Sequence, residues 1–134
     1  MFIAHYDSRY SQPMPRQDTV WSYGAADDGY GLGVILENVD QALKYKADWK
    51  QGIKVLFTDA EEVGMMGMKA QLQNNREVFD NVGLIINLET RGPYGPALLF
   101  ETSPGAHFIS NSMSQGAVLI DSDGIVRVKC SDNQ

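Results

Sequence analysis

The sequence predicts an α/β fold on a mixed, mostly parallel sheet flanked by helices, and three observations lead there. Apolar runs of strand length stand at residues 2–5, 53–58 and 82–88. Residues 29–46 carry Leu32, Ile35, Leu36, Val39 and Leu43 at a helical period. A second, weaker helical segment at 65–79 completes the order strand, helix, strand, helix, strand, the alternation typical of parallel sheets with crossover helices.

Each element has a local reason. Phe2, Ile3, Ala4 and His5 form a short buried strand. Residues 8–24, with Pro13, Pro15, several serines and Gly24, read as a long loop. Asp27 or Asp28 stands where the N-cap of the following helix is expected. Gly52 breaks the chain before the 53–58 strand. The 65–79 helix is weakened by Gly64, Gly67 and the pair Asn74-Asn75. A shorter strand, Ala97–Glu101, follows the turn Gly92-Pro93-Tyr94-Gly95-Pro96. Residues 117–120 and 125–129 flank Asp121-Ser122-Asp123-Gly124 as a hairpin.

Composition narrows the function classes. At 134 residues, 43% hydrophobic and 21% charged, the chain is an ordinary globular one of at most one domain. With 11 basic against 17 acidic residues the net charge is −6, which argues against nucleic acid as a partner. No stretch has the roughly 18–20 apolar residues of a membrane span. The start, Met1 to His5, lacks the basic and apolar regions of a signal peptide. The single Cys130 excludes a disulfide framework and a cysteine-rich zinc module.

The acids fall where the strands end. Strand 2–5 runs into His5-Tyr6-Asp7, strand 53–58 into Asp59-Ala60-Glu61-Glu62, and strand 82–88 into Glu89. In open α/β sheets ligands bind outside the carboxyl ends of the strands, so these groups converge if the strands are parallel. Asp27 and Asp28 return to the same rim. Two carboxylates about 4 Å apart repel by roughly 4 kcal/mol at an effective dielectric near 20. Several such pairs would rival the stability of a small domain, so the acids are either protonated or share a metal. One histidine among carboxylates suits zinc, or less specifically another divalent ion. Strand alternation points Asp7 the same way as His5, as an acceptor for the far imidazole nitrogen. Glu61-Glu62 could divide the labour, one holding metal and one moving protons. Taken alone, a Glu-Glu pair is usually solvated surface.

Four ordered motifs, His5-Tyr6-Asp7-Ser8, Gly24-Ala25-Ala26-Asp27-Asp28-Gly29-Tyr30-Gly31, Ala60-Glu61-Glu62-Val63-Gly64 and Asn87-Leu88-Glu89, resemble the co-catalytic zinc aminopeptidases. That family is typified by bacterial leucyl aminopeptidase. It includes the ER metallopeptidases and, more distantly, glutamate carboxypeptidase and the transferrin receptor ectodomain. The resemblance covers residues 1–105 and implies a zinc-exopeptidase-like three-layer α/β/α domain, incomplete here, acting on peptide substrates with two zinc ions. It implies that His5 ligates the first zinc with Asp7 orienting it. Asp27 would bridge both ions, joined to Asp28 by a non-proline cis peptide as in relatives. Glu61 would be the general base, Glu62 a ligand of the second zinc, and Glu89 a ligand of the first. Family members are often secreted or membrane-anchored, and the compartment of this chain is left open.

Two departures qualify the likeness. The family's last zinc ligand is a later histidine with no match here, since His107 lies too early and in another context. The second zinc site is therefore expected to be incomplete. Residues 106–134 diverge from the family, so residues 1–134 read as a partial zinc peptidase domain, a fragment or an altered product. Its unpaired sheet edge would favour self-association.

Simpler readings stand beside these. Asp27-Asp28 could be only a helix cap. Gly29-Tyr30-Gly31-Leu32-Gly33 is a poor dinucleotide loop, because two aspartates precede it and no strand leads into it. Close packing of the helix start explains its glycines better. Asp121 to Gly124 lacks the closing glutamate of a calcium loop and reads as a turn. Met65, Met66 and Met68 read as gap-filling core, and Cys130 as an incidental thiol. Three functions compete: a zinc aminopeptidase, an inactive relative that keeps the fold for binding or for no role, and a metal-free hydrolase using Glu61 and Asp27.

Overall fold

The computed structural model describes residues 1–9, 12–45, 50–89, 103–106, 109, 119–121 and 124–126. The chain divides into two compact units, Met1–Pro93 and Tyr94–Gln134.

The first unit is built on a three-stranded, wholly parallel sheet. Its centre is β1 (Phe2–His5). The expected loop at 8–24 instead contains an antiparallel hairpin, β2 (Met14–Arg16) and β3 (Thr19–Trp21), and one helical turn, α1 (Tyr23–Ala26). Three-residue strands are too short to show alternation. Pro15 is tolerated because the hairpin is a two-stranded ribbon, where every strand is an edge. Gln17, at φ 54°, makes the reversal. There follow α2 (Gly29–Lys44), β4 (Val55–Thr58), α3 (Met66–Asn74), a 3-10 turn (Arg76–Phe79) and β5 (Ile86–Asn87).

The sheet order is β4-β1-β5. On one side Phe2 pairs with Val55 and His5 with Thr58. On the other, Phe2 pairs with Ile86 and Ile3 with Asn87. All three carboxyl ends therefore reach one rim, as the acid placement predicts. The 82–88 run contributes only two residues to the ladder. A turn through Asn81, at φ 59°, takes up its beginning.

The helix α2 packs on β1. Ile35, 1% exposed, is buried on this helix, as are Ile3 and Ala4 on β1, the other buried apolar residues among those described. Burying a side chain of that size contributes about 2–3 kcal/mol. Leu36 and Leu43 share the apolar period but lie on the exposed side of the helix. The expected 65–79 helix is split after Asn74 into α3 and the 3-10 turn.

In the second unit the described residues form a 3-10 turn (Pro104–Ala106) and the antiparallel hairpin β6 (Leu119–Asp121) and β7 (Gly124–Val126). A hairpin is expected at this place, although Asp121 and Gly124, expected between its strands, belong to the strands themselves. Asp121 pairs with Gly124 across its turn. His107, Cys130 and the 97–101 strand lie outside the described residues.

Candidate metal centre

Every group at the rim is placed by the end of a regular element. His5 is the last residue of β1 and is only 2% exposed. Its Nδ1 stands 2.9 Å from the Asp7 carbonyl oxygen. A carbonyl can only accept, so Nδ1 donates. Nε2 is then left facing two carboxylates, with Asp27 Oδ1 at 3.0 Å and Glu89 Oε1 at 3.5 Å. A bare lone pair between two anions would be repelled, so this point calls for a proton or a metal. Burial opposes protonation of His5, but the Asp7 carbonyl and the carboxylates of Glu89, Asp28 and Asp27 outweigh it and raise its pKa.

The donor set also has the dimensions of a metal site. One atom each from His5, Asp27 and Glu89 lie within 4.8 Å of one another, a group of the kind that binds metal. Tetrahedral zinc with bonds near 2.0–2.1 Å separates its ligand atoms by about 3.3 Å. The two separations from His5 Nε2 bracket that value.

The adjacent aspartates divide two tasks. Asp28 is the N-cap of α2, its Oδ1 accepting the Gly31 N–H at 3.1 Å. The peptide between Asp27 and Asp28 is cis, and Asp27 faces His5. Asp28 is 1% exposed, and its Oδ2 has no hydrogen-bond partner among the described residues. Burial, then the charge of Glu89, push its pKa up to about 6. A Cβ at Gly31 would run into this carboxylate. Within the glycine-rich run 29–33, Gly31 is the glycine needed to seat Asp28, while a Cβ at Gly33 meets open space.

Asp7 departs from its expected geometry. The strand ends at His5, so period-two alternation no longer orients Asp7. Its Oδ1 is 3.5 Å from His5 Nδ1, farther than its own backbone carbonyl. The carboxylate instead accepts the N–H of Glu61 at 2.9 Å and of Glu62 at 3.1 Å. Burial pushes its pKa up, but those N–H groups prevail and hold it below the usual carboxylate range.

The turn after β4 is closed by Gly64 and Met65 N–H groups on the Glu61 carbonyl, both at 2.8 Å. Ala60 (φ 54°) and Met65 (φ 57°) adopt the left-handed conformation within it, at about 1–2 kcal/mol each for a non-glycine residue. Glu61 then lines a cavity of about 230 Å³ together with His5, Thr58, Asn87 and Glu89. Ile3, Met65 and Met68 form its apolar side. The methionines are therefore not core as expected: Met65 and Met66 are each 54% exposed. Glu62 reaches the same rim but stands outside the three-residue group, its Oε2 taking the Arg9 Nε at 3.1 Å. Arg9 was not legible as a site residue. It lies on a loop, with no spacing to mark it.

A family model described as Peptidase family M28 matches residues 1–122. The chain is similar to vacuolar membrane proteases. It is 36% identical to that of Verticillium alfalfae over 100 residues, covering 75% of this chain and 9% of the relative. For Yarrowia lipolytica the values are 34% over 103 residues, 77% and 9%. For Emericella nidulans they are 32% over 124 residues, 90% and 12%. The chain thus spans about a tenth of the length of these curated relatives. No solved structure matches it.

Proposed function

The chain belongs to peptidase family M28, and on that premise we propose that it carries the metal-dependent centre of an aminopeptidase that removes N-terminal residues from peptides. The observation that supports this most is the meeting of His5 Nε2 with Asp27 and Glu89 at 3.0 and 3.5 Å. These three residues would hold a zinc ion, which when bound supplies the Lewis acidity that activates water and polarises a scissile carbonyl. Glu61, which lines the adjoining cavity, would take the proton of the attacking water and return it to the leaving amine. Asp7 is a positioning residue. Through its carbonyl it fixes the His5 tautomer, and through its carboxylate it fixes the Glu61-Glu62 backbone. The second zinc of the resemblance would draw on Asp27 and Glu62.

The same reading makes residues 1–134 part of a larger zinc peptidase domain. Among the described residues no helix is long and apolar enough to cross a membrane. The relatives are named for the vacuolar membrane, and we assign the parent protein a similar membrane-associated setting.

The test is hydrolysis of aminoacyl anilides by the zinc-loaded chain, with free and acetylated amino termini compared before and after chelation. Chelator-sensitive cleavage of the free substrate alone is expected. Zinc bound without turnover would favour an inactive relative. Turnover that survives chelation would favour a metal-free mechanism through Glu61 and Asp27.

A further inference from the structure

The described residues assemble one three-residue donor group, and the carboxylate that the family pattern would give to a second ion is already occupied. Glu62 accepts from Arg9 Nε at 3.1 Å. The side chain of Glu62 is 15% exposed and that of Arg9 is 79% exposed. The inner partner is therefore fixed, and the outer one can leave toward solvent without unfolding anything. Asp27 bears on the same guanidinium, adding to Glu62 in raising its pKa. A positive charge thus stands beside the two carboxylates that a second divalent ion would need.

We infer that Arg9 is the resident counter-cation of Glu62, and that a second divalent ion reaches Glu62 only by displacing the guanidinium. This inference rests on the metallopeptidase reading and adds a gate to it. Arg9 neutralises Glu62 while one ion is held by His5, Asp27 and Glu89. Glu62 could serve a second ion only once the Arg9 side chain had swung outward. An exposed ion pair contributes roughly 0.2–1 kcal/mol, so Arg9 weakens the second binding step by about 1.4- to 5-fold. The first step does not use Glu62, so Arg9 acts on it only through its charge near Asp27, and more weakly.

The experiment is calorimetric titration of Zn²⁺ into the metal-stripped full chain and into Arg9→Lys, Arg9→Met and Arg9→Glu. Removing the charge in Arg9→Met should tighten the second equivalent by about 1.4- to 5-fold and the first by clearly less. Arg9→Lys should remain near wild type. Arg9→Glu, which offers a further carboxylate, should bind the second equivalent most tightly. A second equivalent that is absent from all four proteins, or insensitive to the series, overturns the gate while a tight first equivalent leaves the metallopeptidase reading standing. Equal shifts of both equivalents overturn it as well, since they would show only a general change of field. If no protein binds zinc at all, the gate and the reading beneath it both fail.

Discussion

Asp7 Oδ1 accepts the backbone N–H of Glu61 at 2.9 Å, tying the loop after β1 to the turn after β4. Because the same residue offers its carbonyl to His5 Nδ1, one side chain and one peptide group couple the proposed metal ligand to the proposed base. Replacing Asp7 by Asn keeps the shape but removes the charge and sets an NH2 against a backbone donor. Hydrogen bonds to charged groups contribute about 1.5–3 kcal/mol, and partners of metal-ligating histidines typically tune affinity 10- to 100-fold. Asp7→Asn should lose stability in that range and, because the carbonyl that orients His5 is retained, bind zinc less than about tenfold more weakly. Urea unfolding and zinc titration measure both. An unchanged midpoint and affinity would mean that the Asp7 carbonyl alone does the positioning.

The two glutamates should separate in a paired substitution. Glu61 faces the cavity beside His5, whereas Glu62 faces Arg9. Glu61→Gln should reduce any peptidase turnover by about 10²-fold or more, as for loss of a general base, with the tight zinc content unchanged. Glu62→Gln should leave the first zinc equivalent and weaken the second. Metal analysis beside turnover decides between them. Loss of the first equivalent in Glu61→Gln would reverse the assignment.

Two glycines of α2 should respond with opposite signs to one chemical change. At Gly33 a Cβ meets nothing, so Gly33→Ala should stabilise the chain by about 0.5–1 kcal/mol through helix propensity. At Gly31 the Cβ would displace the Asp28 carboxylate from its cap. Gly31→Ala should therefore destabilise by about 1–2 kcal/mol. Thermal unfolding of both variants provides the check, and a stabilising Gly31→Ala would show that Asp28 does not cap the helix.

The strand ends and their acids were legible because an apolar run followed at once by His5, Glu61-Glu62 or Glu89 needs no tertiary knowledge. Parallel pairing then brings them to one rim. The split between Asp27 and Asp28 was not legible from the residues alone, since either could cap a helix, and only the resemblance assigned the metal side to Asp27. The 14–21 hairpin was hidden by its three-residue strands and by prolines that read as loop. Arg9 was hidden for another reason: its partner Glu62 is 53 positions away, and a single loop residue carries no periodicity. Helical period alone also could not tell Ile35, which is buried, from Leu36, which is 59% exposed.

The strand β4 pairs with β1 alone among the described strands, and Val55 on it is 38% exposed. An apolar strand edge is a template for pairing with another copy. The chain should therefore self-associate as its concentration rises, and Val55→Lys should reduce that tendency. Sedimentation velocity across a concentration series reads it directly. A wild-type chain that remains monomeric throughout would show that this edge is covered in solution.

Metal should stabilise this fold through His5, Asp27 and Glu89. Without a cation, two carboxylates and an imidazole nitrogen meet within 4.8 Å, and such anionic pairs repel by roughly 4 kcal/mol near 4 Å at an effective dielectric of 20. A ligand bound only by the native state, present at 100 times its Kd, adds about 2.7 kcal/mol. For a domain of this size that corresponds to a rise in Tm of roughly 10 °C. Asp27 and Glu89 have side chains 44% and 32% exposed, so Asp27→Asn and Glu89→Gln should fold and lose most of the zinc-induced rise. Asp40→Asn makes the same charge change on the exposed face of α2, where Asp40 is 56% exposed and pairs with Lys44, and should keep it. Scanning each protein with zinc and with chelator separates a built site from diffuse attraction to an acidic chain. If zinc raised Tm equally in all of them, the three-residue group would not be where the metal binds.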